Sequence, residues 1–469
     1  MHQDSQFPVE PWRVLAIRAH GSEFLAIEKE GRMSLPCIDI PKGTRVAQEL
    51  NGRLRAIWNL DAFSLCPIRT ETIAREELSH RAHIMEAVRD DDPTPPGACW
   101  LKTTSANADL LAPEDLRAVH AWRDELLHIP TVRTHSPLGR PACLVALRAW
   151  VQQAIDPSGW RLGTEFLQLN AERSFSLVRF ETNGRAVWFK AVGEPNTREF
   201  ELTVALSRLF PRFLPELLAT EPDWNAWLSA EAPGRRLAER DEIEAWRTAA
   251  RDLAALQIAS VPLTKQLLRT GARDVRSRSL RGSIIPFFEM LRELMARQSS
   301  LRPPQLSPHQ LIDVEGYVRQ ALDELQIDGV PDSLGHLDLN PGNIIVSSEG
   351  AVFLDWAEAC VGHPFFTFAY LLEHFRRTFK ADDQPSMQLI EDYAKVWKSH
   401  GYEHPLEACL SRALFLAVFV HAVSTEPWRC PNDFQAPQAA SYYRSLARRM
   451  HAYSSRIQAG ASQPAELWR

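Results

Sequence analysis

In the second quarter of the chain three short runs of apolar, β-branched and aromatic residues follow one another: Phe166 to Asn170, Phe175 to Thr182 and Ala186 to Val192. Such runs read as strands, and Asn183-Gly184 between the last two is a strong hairpin signal. A helical pattern precedes them, Ala142 to Ile155, and another follows, Thr197 to Phe210, with short strands near Leu217 and Trp227. From about residue 238 the apolar positions recur at helical spacing. The helices expected there are Glu242 to Ile258, Ile284 to Met295, Leu311 to Leu325, Pro364 to Phe375, Met387 to Ser399 and Pro405 to Val423. One β-rich island, Gly335 to Asp355, interrupts them. Before residue 130 the texture is mixed. Arg13 to Arg18 and Glu23 to Glu28 look extended, and Arg45 to Trp58 looks helical. A Pro/Asp-rich turn, Asp90 to Gly97, leads to Ala98 to Thr103, and a helix, Ala112 to Leu127, opens with Pro113-Glu114-Asp115.

The pattern is α+β. At roughly 100–200 residues per domain, a chain of 469 residues has room for two to four domains. We divide it into an accessory α/β domain (1–130), a β-rich lobe (138–234) and a larger helical lobe (235–460). Hydrophobic residues at 45% and charged residues at 24% are an ordinary globular balance. A formal net charge of -6 argues against a nucleic-acid partner, which needs a basic excess. The Arg-rich stretch Arg273 to Arg281 reads as a solvated, mobile loop.

The seven cysteines (Cys37, Cys66, Cys99, Cys143, Cys360, Cys409, Cys430) are odd in number and never in C-x-x-C spacing. That argues against a zinc site or disulfide framework and fits a reducing cytosol. The start, MHQDSQFPVEPW, lacks a signal-peptide pattern. The longest apolar run, Ala413 to Val420, is too short to span a bilayer. A cytoplasmic protein without membrane contact is expected.

The island reads GHLDLNPGNIIVSSEGAVFLDWAEACVGHP. A hairpin, Ile344-Ile345-Val346 and Val352-Phe353-Leu354 around a polar turn, brings its two ends together. Asn343 and Asp355 therefore lie side by side, with Asp338 in the loop before them. The arrangement suits phosphoryl transfer, in which a carboxylate orients the attacking hydroxyl while oxygen ligands hold magnesium. Each residue alone has a plainer reading, a turn for Asp338 and Asn343 and a helix cap for Asp355.

HLDLNPGN followed by LDW resembles the H-G-D-x-x-x-x-N and [IL]-D-[WF] signatures of aminoglycoside phosphotransferases and choline-kinase-like enzymes. The resemblance covers about residues 140–450 and implies a protein-kinase-like bilobal fold. It implies that Asp338 is the catalytic base, that His336 braces the loop, and that Asn343 and Asp355 bind Mg2+. ATP would be the phosphoryl donor and a small-molecule hydroxyl the acceptor. Leu337 and Asn340 depart from the usual Gly and His, and Gly362-His363-Pro364 and Thr367-Phe368-Ala369 from G-D-P and D-L-A.

Upstream, Lys190 ends an apolar strand, where a lone Lys is costly to bury unless it meets an anion. In kinase-like folds such a Lys contacts phosphates and pairs with a helix Glu. Glu199 or Glu201 can serve, although Asn196 to Glu199 also has capping-box spacing. The loop Asn170 to Ser174 would cover the phosphates, but it lacks Gly, leaving Ser174 or backbone amides. Ser229 to Gly234, with Glu231 and Ala232, resembles the hinge that holds adenine, and equally reads as a linker.

The first 130 residues loosely resemble a Nudix-type fold without its acidic box, which implies an inactive accessory domain. An unrelated α/β domain fits as well. Three functions compete: a small-molecule O-phosphotransferase, a pseudokinase or nucleotide-sensing module, and a protein kinase, which the missing D-F-G and A-P-E disfavour. The acceptor is not legible. Glu358, Glu373, Glu391 and Asp392 could make an acidic pocket or a solvated face. Trp356, Phe365, Phe366, Tyr370 and Phe375 read as core.

Overall fold

A computed structural model describes residues 8–29, 31–65, 82–107, 109–127, 139–172, 174–380, 383–402, 406–424 and 427–460. The boundaries expected at 130 and 138, and with them Cys66, Arg173 and Pro405, lie outside the described residues. The chain divides into two compact units, one up to Phe200 with Glu216–Glu231, the other Glu201–Pro215 with Ala232 onward.

The first unit holds two sheets. Seven strands, β1 (Val9–Arg18), β2 (Glu23–Lys29), β3 (Arg32–Ser34), β4 (Cys37–Pro41), β5 (Ala62–Ser64), β6 (Ala82–Ala87) and β7 (Ala98–Lys102), form a mixed sheet. Its order is β3-β2-β1-β6-β5, with β4 and β7 added on β1 and β2. The central strand β1 alternates strictly. Val14 and Ala16 pack with Leu50 and Leu54 of helix α1 (Val46–Trp58), while Leu15 and Ile17 join the cluster of Val119 and Trp122 on α2 (Pro113–Leu127). A strand covered on both faces reads as a continuous apolar run, as Val14 to Ile17 does.

The second sheet is antiparallel, ordered β11-β12-β10-β9-β8. Its strands are β8 (Leu162–Ala171), β9 (Phe175–Thr182), β10 (Val187–Val192), β11 (Leu217–Glu221) and β12 (Ala226–Ala230), with helices α3 (Cys143–Ile155) and α4 (Arg198–Leu209). The β9–β10 hairpin forms as expected, but Gly184 is not left-handed. A Cβ there would meet the Trp160 ring at 2.5 Å, so close packing is what requires glycine.

The two sheets share one apolar cluster, in which Leu15, Ile17 and Phe24 join Leu147, Val178 and Phe189. They also meet edge to edge, β5 against β8. The side chain of buried Gln168 accepts the Ser64 N–H at 2.7 Å and donates to the Ser64 carbonyl at 2.8 Å. It thus pairs with a strand edge as a peptide group would, and Phe63 packs on Phe166 beside it at 5.6 Å.

The second unit is mainly helical: α5 (Ile243–Ser260), α6 (Thr264–Thr270), α7 (Ser277–Ala296), α8 (Pro308–Ile327), α9 (Phe365–Phe379), α10 (Asp383–Ser399), α11 (Leu406–Ser424), α12 (Pro431–Phe434) and α13 (Pro437–Gln458). Two small sheets lie among them. One is β13 (Arg235–Arg236), β16 (Ile344–Ser347) and β17 (Gly350–Phe353); the other is β14 (Arg273–Val275), β15 (Ser333–His336) and β18 (Ala359–Gly362). The β-rich N-terminal and helical C-terminal regions match the α+β, kinase-like expectation.

The mobile loop expected at Arg273 to Arg281 is corrected. Residues 273–275 form β14 on β18, and α7 starts at Ser277. Arg273 is no solvated charge, since its guanidinium bonds the Ser424 carbonyl at 2.6 Å and Glu358 at 2.9 Å. The six described cysteines are free thiols. Among the described residues no helix is long and apolar enough to cross a membrane.

Candidate active site

The catalytic loop begins where β15 ends. Gly335 lets that strand pass close to α9, since a Cβ would meet Cys360 Sγ and Thr367 Oγ1 at 2.8 Å. Thr367 Oγ1 then accepts the His336 N–H at 2.9 Å. His336 is buried, and burial holds its pKa below the ordinary value, with the Leu354 carbonyl and the carboxylates of Asp355 and Asp338 pulling the other way. Its Nδ1 accepts the Asp338 N–H at 3.1 Å and its Nε2 lies 3.1 Å from the Leu354 carbonyl. A neutral ring protonated on Nε2 satisfies both, and it ties the loop to the far end of the hairpin.

Asp338 is half-buried and its carboxylate is oriented from two sides. Oδ1 accepts from Asn340 Nδ2 at 3.2 Å and, at a long 3.3 Å, from the Tyr370 hydroxyl. Asn340 also accepts the Gly342 N–H at 2.9 Å, an Asx turn in place of the family's usual His. Asn343 Nδ2 donates to the Asp338 carbonyl at 3.0 Å.

The hairpin β16–β17 returns the chain as the sequence implied, with Ile344 opposite Phe353. The Leu354 N–H donates to the Asn343 carbonyl at 2.8 Å, so Asp355 follows directly beside Asn343. Asp355 is exposed and left-handed, with φ 63 and ψ 65. Asp tolerates that region better than most residues, and such strain gathers at ligand sites. From α5, buried Asp252 pins the hairpin's turn through the Ala351 N–H at 2.7 Å and Arg212 at 2.9 Å.

In the first unit Lys190 on β10 meets Glu199 of α4 at 2.6 Å, with side chains 13% and 2% exposed. The Glu199 carboxylate thus reaches the Lys, while Glu201 is exposed. The rings of Phe175 and Trp227 stand 5.6 Å from the ammonium. Ser174 is half-buried, its carbonyl accepting the Gly193 N–H at 3.0 Å. Glu231 clamps Arg179 at 2.7 and 2.9 Å and accepts from Trp188 at 3.1 Å. Its backbone is occupied too, with the N–H on the Ala186 carbonyl at 2.8 Å and the carbonyl on Arg185 at 2.8 Å. Ala232, in the second unit, is buried. Gly234 beyond it has φ +114, and a Cβ would strike the Val346 carbonyl at 2.4 Å.

The loop with Asp338, the hairpin and Asp355 thus lie together in the second unit. Residues 198–405 match the sequence model of the phosphotransferase enzyme family. The resemblance read from HLDLNPGN and LDW is borne out, and the match supports a phosphotransferase. No curated protein matches the chain by sequence. Among solved structures it is similar to a macrolide 2'-phosphotransferase of Brachybacterium faecium (16% identity, TM-score 0.44, covering 65% of this chain and 97% of that one). It is also similar to a choline kinase of Streptococcus pneumoniae (11%, 0.41, 66% and 99%) and an ethanolamine kinase of Plasmodium vivax (14%, 0.41, 61% and 82%). These likenesses are distant.

Sequence reasoning missed a partly polar cavity of about 280 Å³ in the second unit. Phe366 and Tyr370, read as core, line it, together with Tyr442, Arg449 and Tyr453 of α13. The 4-3-4 spacing of Tyr442, Leu446, Arg449 and Tyr453 marks one helix face and was the available signal. Of the four acidic residues named as pocket candidates, two are paired elsewhere, Glu358 with Arg273 and Asp392 with Arg247 and Arg251, and Glu373 lines the cavity.

Proposed function

We propose that the protein is an ATP- and magnesium-dependent kinase that phosphorylates a hydroxyl of a small molecule. The observation that carries the proposal is the Asp338 carboxylate, oriented by Asn340 and Tyr370 and joined through its own carbonyl to Asn343. The acceptor hydroxyl gives its proton to Asp338, and its oxygen forms a bond to the γ-phosphorus. The bond from that phosphorus to the β,γ-bridging oxygen breaks, and the electron pair leaves with ADP. Lys190, held by Glu199, has the chemistry to bind phosphate oxygens.

Asn343 Oδ1 and the Asp355 carboxylate fit magnesium. Both are hard oxygen donors, and among the described residues no group of three His, Cys, Asp or Glu forms a cage. A cation that takes one or two protein ligands and completes its shell with substrate phosphates suits that set. When bound, it would neutralise charge on the phosphate oxygens. Ser174, Glu231 and Ala232 remain candidates for the nucleotide. Because the Glu231 backbone is already paired, Ala232 is the better hinge contact for adenine.

The glycine-free loop Asn170 to Ser174 favours one other reading, a nucleotide-sensing module without turnover. Two variants separate them. In an ADP-release screen over hydroxyl-bearing metabolites and antibiotics, Asp338→Asn is expected to cut turnover by roughly 10²–10⁴-fold while Mg-ATP binding persists. Asp355→Asn is expected to weaken Mg-ATP binding itself. Binding without turnover in the parent protein supports the sensor, and intact turnover in Asp338→Asn refutes the assignment of the base.

A further inference from the structure

The cavity of about 280 Å³ lies wholly in the second unit, and nothing so far gives it an occupant. Three helices build it. Its apolar wall is Leu337, Phe366, Leu414, Val418 and Leu446. One end reaches the catalytic loop, since Leu337 adjoins Asp338 and the lining Tyr370 donates to the Asp338 carboxylate at 3.3 Å. The volume is at the small end of the about 300–1,000 Å³ usual for small-molecule sites.

The charge in the lining is the informative feature. Among the described lining residues the only carboxylate is Glu373, which already accepts from both Arg377 and Arg449. The Asp338 carboxylate stands at the Leu337 end, on Tyr370, so the positive part of the cavity is around Arg449, where two guanidiniums share one carboxylate. Arg449 Nη2 also meets the Tyr453 hydroxyl at 3.2 Å, and Nε lies 3.4 Å from it. Its Nη1 has no hydrogen-bond partner among the described residues. His374 and His421 flank Tyr370. Burial keeps both below the usual imidazole pKa, so they add hydrogen-bonding capacity and no cation at neutral pH. An ammonium entering at the Arg449 end would meet guanidinium rather than open carboxylate, and like charge disfavours it there.

The geometry points to an acceptor that is a small hydroxyl compound with an apolar, ring-sized body and a carboxylate or phosphate group. Arg449 takes the anion, the apolar wall takes the ring, and the hydroxyl lies toward Asp338. Calling the occupant the acceptor rests on the kinase reading, whereas the charge preference rests on the cavity alone.

Three isosteres test it: 4-(hydroxymethyl)benzoate, the neutral 4-(hydroxymethyl)benzamide and the cationic 4-(hydroxymethyl)benzylamine. Binding to the full chain is read by calorimetry without nucleotide. The benzoate is expected to bind at least about tenfold more tightly than the amine, the scale of a charge-assisted hydrogen bond. Arg449→Gln should remove that preference and leave amide binding unchanged, which also shows an intact cavity. Arg449→Lys should retain part of it. The amine binding as well as the benzoate, an undiminished preference in Arg449→Gln, or no binding by any of the three overturns the inference. Mg-ATP binding is measured separately, so its failure sinks the kinase reading without touching this result.

Discussion

Replacing Glu199 by Gln tests whether the Lys190 pair holds the first unit together. The two groups are 2.6 Å apart and 13% and 2% exposed, so water screens them little. Removing one partner of a buried pair costs about 3–5 kcal/mol, because the other group loses an opposite charge in a place that water reaches poorly. Gln keeps a neutral acceptor in place, which puts the cost near the lower limit, about 3 kcal/mol. At about 2–4 °C per kcal/mol for a unit of this size, calorimetry should show its transition falling by roughly 6–12 °C. Glu201→Gln, on the exposed side of the same helix, should stay within about 0.5 kcal/mol of the parent. The double change Lys190→Met with Glu199→Leu replaces the pair by apolar bulk and should regain most of the lost stability. Mg-ATP, which should raise the parent's melting temperature if Lys190 binds phosphate as proposed, should raise that of the double variant much less. Equal transitions for the Glu199 and Glu201 variants would refute the structural argument. A normal nucleotide shift in the double variant would refute the phosphate role.

The edge joint and one buried histidine give two further tests. Gln168→Leu leaves the buried Ser64 N–H and carbonyl without their Gln168 partners, and at about 1–3 kcal/mol per group the unfolding free energy from urea titration should fall by at least about 2 kcal/mol; an unchanged value would show that the two sheets do not depend on each other. His363 is fully buried, its Nε2 has no partner, and burial pulls its pKa down to about 3. Above the unfolded-chain value of about 6.5 both states are neutral, and below it only the unfolded chain takes the proton. Stability should therefore fall by about 1.4 kcal/mol per pH unit from about 6.5 downward. His363→Phe should lower proton uptake on unfolding by one, and an unchanged slope counts against the burial.

The parts of the molecule that were legible in the sequence are those whose cause is local. Asp338, Asn343 and Asp355 fall within one loop and one hairpin, so spacing and alternation carry their geometry. The β9–β10 hairpin was marked by Asn183-Gly184 for a similar reason, although the glycine serves the Trp160 ring rather than a left-handed turn. The Arg273 to Arg281 stretch misled because charge density looks the same on a loop and on a strand whose arginine finds a carbonyl from a helix far along the chain. No window of sequence contains that carbonyl.

The acceptor cavity shows the same limit from the functional side. Leu337, Tyr370, His421 and Arg449 come from a loop and three helices spread over more than a hundred residues, and each alone has a plainer reading as core or surface. Glu373 is the clearest case. As a sequence feature it could belong to an acidic pocket or to a solvated face. In the fold two guanidiniums engage it, and its charge is no longer open to a ligand. The residues proposed for catalysis can be read from order and spacing because they fall within one loop and one hairpin. The charge that a pocket offers depends on which distant side chains neutralise each other, so an acceptor preference must be argued from paired charges, not from a count of acidic residues near the motif.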